Sequence, residues 1–187
     1  MPVARIDAVL FDRDGTLIVD VPYNGDPAAV RAVAGARQAV DRLRRAGISV
    51  AIVTNQSGLA RGRFGERDLA RVHARVDELL GPFDAIEHCP HGAEDGCGCR
   101  KPRPGLVLAA AARLGVDPRR CLVVGDTAAD LGAAEAAGAV GVLVPNERTR
   151  RDEVAAAPRV AADLAEAVDR WALPAHCREN EFVGAGR

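Results

Sequence analysis

Aromatic residues are scarce in this chain: Phe, Trp and Tyr make up 3% of it. Its core must therefore come from small aliphatic side chains, in a composition typical of a GC-rich genome. No apolar run reaches the length of a membrane-spanning helix. Arg5 and Asp7 interrupt the N-terminus before any apolar run of signal-peptide length. A cytoplasmic protein with no membrane partner is the expectation. Neither sign of charge is in excess, with 25 Lys+Arg against 26 Asp+Glu. That balance excludes a bulk binder of nucleic acid or anionic membrane, and leaves room for a local cationic pocket. No Walker-type or G-x-G-x-x-G phosphate loop occurs, so ATP is not the expected substrate. The five cysteines do not form a disulfide framework and fit metal and core roles in a reducing compartment. Repeats and interdomain linkers are absent. One domain over 1–173 is expected, followed by a loosely ordered tail over 174–187. No apolar helix stripe is left over, which points to a monomer.

What the chain does have is a dense loop, Cys89-Pro-His91-Gly-Ala-Glu-Asp-Gly-Cys97-Gly-Cys99-Arg100-Lys101-Pro102. Cys89, His91, Cys97 and Cys99 form the pattern C-x-H-x5-C-x-C. A Cys3His set is a structural zinc composition, and a closed tetrahedral site leaves no position for water or substrate. A disulfide within Cys-Gly-Cys is sterically poor. The other reading is surface cysteines and a chance histidine, but a short Gly-rich loop has little else to hold it. Arg100 and Lys101 follow the last ligand directly, so a zinc knot would present two cations to an anion.

Short apolar runs alternate with helical periods. Strands are predicted over Ile6–Phe11, Ile48–Val53, Phe83–His88, Arg120–Val124 and Val140–Val144. Helices are predicted over Ala36–Ala46, Glu66–Leu80, Leu106–Leu114, Ala128–Ala137, Arg151–Ala156 and Ala161–Trp171. Residues 18–34 show no period and carry Pro22, Gly25 and Pro27, which makes a long and therefore functional loop. The alternation predicts an α/β fold: a three-layer, Rossmann-like parallel sheet with helices on both faces and no large cap domain. Ligands of such sheets bind beyond the carboxyl ends of the strands. His73 and His88 are expected at the helix surface and a strand end, and Cys121 in the core.

Three polar turns fall on that rim. Asp12 and Asp14 lie two residues apart at a strand end and project to one side. Carboxylates so close repel unless a cation neutralises them, and Mg2+ with oxygen ligands suits them. Asp126 can complete the protein ligands, and Asp130, one turn later, can act as an acceptor behind them. Each motif alone has a plainer reading: D-x-D-G is also a turn, and G-D-x-x-x-D is also a helix start. Thr54 and Asn55 offer a hydroxyl and an amide at the next strand end, where turn chemistry is again the plainer reading. Lys101 adds a point charge and Arg100 a bidentate fork. A carboxylate nucleophile, Mg2+, Lys and Thr around one point make a phosphoryl-transfer site.

Phe11-Asp12-Arg13-Asp14-Gly15-Thr16, Thr54-Asn55-Gln56-Ser57-Gly58, Lys101-Pro102 and Gly125-Asp126 together resemble the four motifs of haloacid dehalogenase-like phosphatases. The resemblance implies Asp12 as nucleophile and Asp14 as general acid and then base. It implies Thr54 and Lys101 as stabilisers of the transferring phosphoryl group, with Mg2+ on Asp12, the Asp14 carbonyl and Asp126. The zinc loop with T-N-Q-S-G-L-A-R-G-R-F is similar to the heptose 1,7-bisphosphate 7-phosphatase branch and to related histidinol-phosphate phosphatases. That branch implies a small phosphorylated sugar as partner. It implies recognition by Asp20 to Tyr23, by Asn55, Gln56 and Ser57, and by Arg100 at the far phosphate or sugar; Arg61 is a second candidate for an anion. The zinc loop is short, and D-V-P-Y-N-G-D-P after the first motif is its own variant, so sugar and anomer stay open. A non-catalytic zinc-stabilised phosphosugar-binding module is the competing class, against which the intact Asp12/Asp14 pair argues.

Overall fold

The computed structural model describes residues 5–174. The expected tail therefore lies outside the described residues, apart from Pro174. Five strands form one parallel sheet in the order β3-β2-β1-β4-β5. They are β1 (Ala8–Phe11), β2 (Ser49–Asn55), β3 (Ala85–Cys89), β4 (Cys121–Gly125) and β5 (Val140–Leu143). Six helices connect and flank them: α1 (Ala36–Arg45), α2 (Glu66–Leu80), α3 (Gly105–Leu114), α4 (Ala128–Ala137), α5 (Arg151–Ala156) and α6 (Leu164–Trp171).

Strand residues alternate between two cores, as the two-residue period of a strand requires. Val9, Phe11, Val50, Ile52, Leu122 and Val124 face a layer made by α1, α2 and α6. Ala8, Leu10, Ala51, Val53, Cys121 and Val123 face α3 and α4, whose buried residues are mostly alanines. Small side chains let this second layer pack close to the sheet, and they compensate for the missing aromatics. The helix α2 buries Leu69, Val72, Val76 and Leu80, the stripe its period predicts. Cys121 is buried in the core, as expected. The helix α6 starts at Leu164, three residues later than its period suggests. Asp163 caps it by accepting from the Glu166 amide at 2.8 Å, while the Ala161 amide bonds to Leu143 O.

Register then sets the site. Phe11 pairs with Ile52 on one side and Val124 on the other. Asp12 and Asp126, just past β1 and β4, and Thr54, the penultimate residue of β2, lie at the same edge of the sheet. That edge lies at the switch between β1 and β4, where a crevice opens in sheets of this order. The loop after β1 folds back through isolated bridges between Ile18 and both Asp14 and Ala32. It then makes a short 3-10 turn over Pro27–Ala29, capped by Asp26. No helix among the described residues is long and apolar enough to cross a membrane, and none of them forms a separate cap.

Candidate active site

The rim holds a cavity of about 370 Å3, whose floor is made by Asp12, Thr54, Lys101, Asp126 and Asp130. Lys101 is the only lysine of the sequence. It is 4% exposed, too buried to remain charged without partners. Its ammonium donates to Asp12 Oδ1 and Asp130 Oδ1, both at 2.6 Å, and to the Val53 carbonyl at 2.8 Å. Burial alone would depress this ammonium, but Asp12 and Asp130 outweigh it and hold its pKa above the ordinary value. The main chain of Lys101 is fixed as well. Asn55 donates to its carbonyl at 3.2 Å and accepts from its amide at 3.1 Å. Asn55, expected at the substrate, thus also brackets the Lys101 peptide.

Asp130 sits in the first turn of α4. Its Oδ2 accepts from the Thr127 amide at 3.1 Å and hydroxyl at 2.7 Å, which caps the helix while Oδ1 takes the lysine. A side chain on Gly125 would lie 2.2 Å from Asp130 Cγ, so this close passage requires glycine. Asp126 accepts from Thr16 Oγ1 at 3.3 Å and from Asn146 Nδ2 at 2.8 Å. Asn146 lies in the loop after β5, and no motif in the sequence marked it.

Asp14 lines the same cavity but is held by other partners than Lys101. The Arg13 guanidinium donates to it through Nε at 3.1 Å and Nη2 at 2.9 Å, and Gln56 donates to it at 2.8 Å. Gln56 also donates to Thr54 Oγ1 at 2.8 Å. An arginine inside a polar turn reads as solvated, yet Arg13 is 1% exposed. His73, expected at the surface, is half-buried, and its Nε2 has no hydrogen-bond partner. Burial, then the Arg13 and His88 charges, push its pKa down to about 3.

One oxygen each from Asp12, Asp126 and Asp130 lie within 4.8 Å of one another. Burial pushes the Asp12 carboxyl up to about 8, with Lys101 opposing and Asp130, Asp14 and Asp126 adding to it. Burial and Asp130 likewise push Asp126 up to about 6, against the hydrogen bonds of Asn146 and Thr16. A hard divalent cation is the group this excess of buried carboxylate lacks, and oxygen donors suit Mg2+. Asp12 Oδ2 has no donor among the described residues, so it is free for such a partner.

The Cys-His loop closes on itself. Cys89 Sγ lies 3.7 Å from Cys97 Sγ, 3.2 Å from Cys99 Sγ and 3.5 Å from His91 Nδ1. Cys99 Sγ lies 3.3 Å from His91 Nδ1 and 3.6 Å from Cys97 Sγ. Zinc–sulfur bonds of about 2.3 Å put the corners of a tetrahedron roughly 3.8 Å apart. The four ligand atoms therefore already approximate the edges of a zinc tetrahedron, far longer than a disulfide.

Of the other residues expected at the substrate, Asp20, Tyr23 and Ser57 line the cavity. Asp20 is ion-paired to Arg148. Arg61 does not line the cavity, and its guanidinium lies 5.7 Å from the ring centroid of Tyr23, which does. Arg100 does not line the cavity, and its Nη1 donates to the His91 carbonyl at 3.3 Å.

A family model described as haloacid dehalogenase-like hydrolase matches residues 28–138. The chain belongs to the haloacid dehalogenase-like hydrolase family. It is 41% identical over 142 residues to the D-glycero-beta-D-manno-heptose-1,7-bisphosphate 7-phosphatase of Vibrio cholerae, covering 70% of this chain and 76% of that one. The protein of the same name from Mesorhizobium japonicum is 43% identical over 156 residues, covering 76% and 71%. Among solved structures, D,D-heptose 1,7-bisphosphate phosphatase from B. bronchiseptica, complexed with magnesium and phosphate, superposes with a TM-score of 0.77. It is 38% identical, and the match covers 88% of this chain and 97% of that one.

Proposed function

We propose that the chain is a magnesium-dependent phosphatase that removes the 7-phosphate of D-glycero-D-manno-heptose 1,7-bisphosphate through a phospho-aspartyl intermediate. The observation that carries this reading is the Lys101 ammonium held 2.6 Å from both Asp12 and Asp130 at the floor of the cavity. Relatives named for this activity, about 40% identical over most of the chain, support the substrate.

In this mechanism Asp12 attacks phosphorus, and the bond from phosphorus to the sugar oxygen breaks. Asp14 protonates that leaving oxygen. It then takes a proton from the water that attacks phosphorus, and the P–O bond to Asp12 breaks to release phosphate. Lys101 and Thr54 stabilise charge on the equatorial oxygens. Asp12, the Asp14 main-chain oxygen and Asp126 would hold Mg2+, which when bound neutralises the carboxylates and polarises the phosphoryl oxygens. Cys89, His91, Cys97 and Cys99 would hold a structural zinc, which keeps the segment leading into Lys101 in place and does no chemistry. Asp20, Tyr23, Asn55, Gln56 and Ser57 would face the sugar. The chain would act as a monomer, which light scattering tests.

The test of function is phosphate release with Mg2+ from α- and β-heptose 1,7-bisphosphate, fructose 1,6-bisphosphate and histidinol phosphate. The relatives above are named for the β anomer, so that compound is expected to be turned over fastest. Preference for histidinol phosphate would move the chain to that activity with the same catalytic residues. Binding without release from any of them would leave only a phosphosugar-binding module.

A further inference from the structure

Asp14 must give a proton to one oxygen and take a proton from another, so its carboxyl has to be held firmly and still be left partly free. Resting on the mechanism proposed above, we infer that Arg13 and Gln56 are positioning residues that fill most of the acceptor sites of Asp14 and reserve one, on Oδ1, for the proton in transit. Arg13 Nε donates to Oδ1 at 3.1 Å and Nη2 to Oδ2 at 2.9 Å, and Gln56 Nε2 donates to Oδ2 at 2.8 Å. A carboxylate offers about four lone-pair sites, shared equally by its two oxygens. Oδ2 is thus filled, and Oδ1 keeps one site open. The side chain that carries it is still 23% exposed and lines the cavity.

Both residues are committed to this task. The Arg13 side chain is sealed, and Asp14 is its one carboxylate partner among the described residues. A charge so buried is held to the anion that neutralises it. His73, its pKa pushed down to about 3 by burial first and the Arg13 charge next, offers no competing anion. The Arg13 carbonyl accepts from the Leu17 and Ile18 amides at 3.1 and 3.0 Å, which fixes the base of the side chain. Gln56, 4% exposed, also donates through Nε2 to Thr54 Oγ1 at 2.8 Å. The carboxylate decides which way this amide faces, because an ionised carboxylate only accepts. Having accepted from Gln56, the Thr54 hydroxyl keeps its own hydrogen for a phosphoryl oxygen. Both Nε2 hydrogens are then spent within the protein, and Oε1 is what Gln56 has left for a sugar.

The test compares heptose 1,7-bisphosphate, whose leaving sugar oxygen needs the proton, with p-nitrophenyl phosphate, whose phenolate leaves without one. The ratio of kcat/KM for the sugar ester to that for the aryl ester should fall roughly 10- to 100-fold in Arg13→Met and in Gln56→Met, within what general acid catalysis supplies. Arg13→Lys, a point charge without the fork, should restore part of the ratio. In Gln56→Met, kcat on the sugar ester should fall by a larger factor than KM rises. Bound zinc and a cooperative melt identify the folded variants, and if Arg13→Met does not fold, Gln56→Met decides. Equal losses on both esters in the folded variants would overturn the clamp and leave the function standing. A Gln56→Met variant with raised KM and unchanged kcat would do the same. A wild type that does not cleave the sugar ester would overturn function and clamp together.

Discussion

The side-chain amide of Asn146 donates to Asp126 Oδ2 at 2.8 Å, across twenty residues of chain. The same amide donates to the Gly15 carbonyl at 2.9 Å. One residue after β5 thereby ties the turn after β1 to the turn after β4, the two turns that carry the candidate magnesium ligands. Thr149 strengthens the tie by donating to the Asp126 carbonyl at 2.8 Å.

Loss of this orienting contact should weaken the metal more than the chemistry. In Asn146→Ala the magnesium concentration for half-maximal activity should rise by roughly 10- to 100-fold, with kcat at saturating magnesium largely kept. Magnesium titration of activity measures both. An unchanged titration would reduce Asn146 to a loop anchor.

Asp12→Asn should lower turnover by at least about 10^4-fold while zinc content and fold stay intact. The sign of its effect on stability follows from the raised Asp12 pKa. A carboxyl at about 8 in the folded chain, against 3.8 ordinarily, stabilises the fold below pH 3.8 and loses that contribution as pH rises through 8. Magnesium-free wild type should lose stability over that window, and Asp12→Asn should lose less. Thermal melts of the two proteins from pH 5 to pH 8.5 test the difference, and parallel curves would refute it.

His73 works in the opposite sense. Its pKa falls from 6.5 to about 3 on folding, so the unfolded chain binds the extra proton. Its neutral form stabilises the fold above pH 6.5, and that contribution is lost as pH falls toward 3. At pH 5 the loss is about 2 kcal/mol. His73→Gln should flatten the fall in stability between pH 6.5 and pH 4, read by urea denaturation at each pH. An unchanged slope would show that other groups govern acid sensitivity.

Cys99→Ser should reduce bound zinc, measured by elemental analysis, and lower the melting temperature by roughly 10 °C. It should also weaken activity, because Lys101 follows the loop by two residues. A zinc-depleted wild type with an unchanged melt would remove the structural role of the metal.

Several details were invisible along the chain because they depend on what lies opposite. Arg13 stands between two aspartates in a polar turn, yet it is sealed beneath Asp14. Asn55 belongs to a motif read as substrate-facing, and its side chain goes to the Lys101 peptide, 46 residues away. Asp20 is paired with Arg148, far along the sequence. Hydrogen-bond partners so distant leave no local period or spacing.

The amino-acid sequence alone determined the alternation of strands and helices, the helices α2, α4 and α5 to the residue, and the four polar motifs, three at strand ends and Lys101-Pro102 ahead of α3. Those features are local: apolar period, glycine and proline stops, and carboxylates a fixed distance apart repeat along the backbone itself. The tertiary structure alone decided which carboxylates share Lys101, that Asn146 holds Asp126, and that Gln56 joins Asp14 to Thr54. Strand register brings residues more than a hundred positions apart to one edge. Burial there changes what a charge costs, and no stretch of sequence contains that environment.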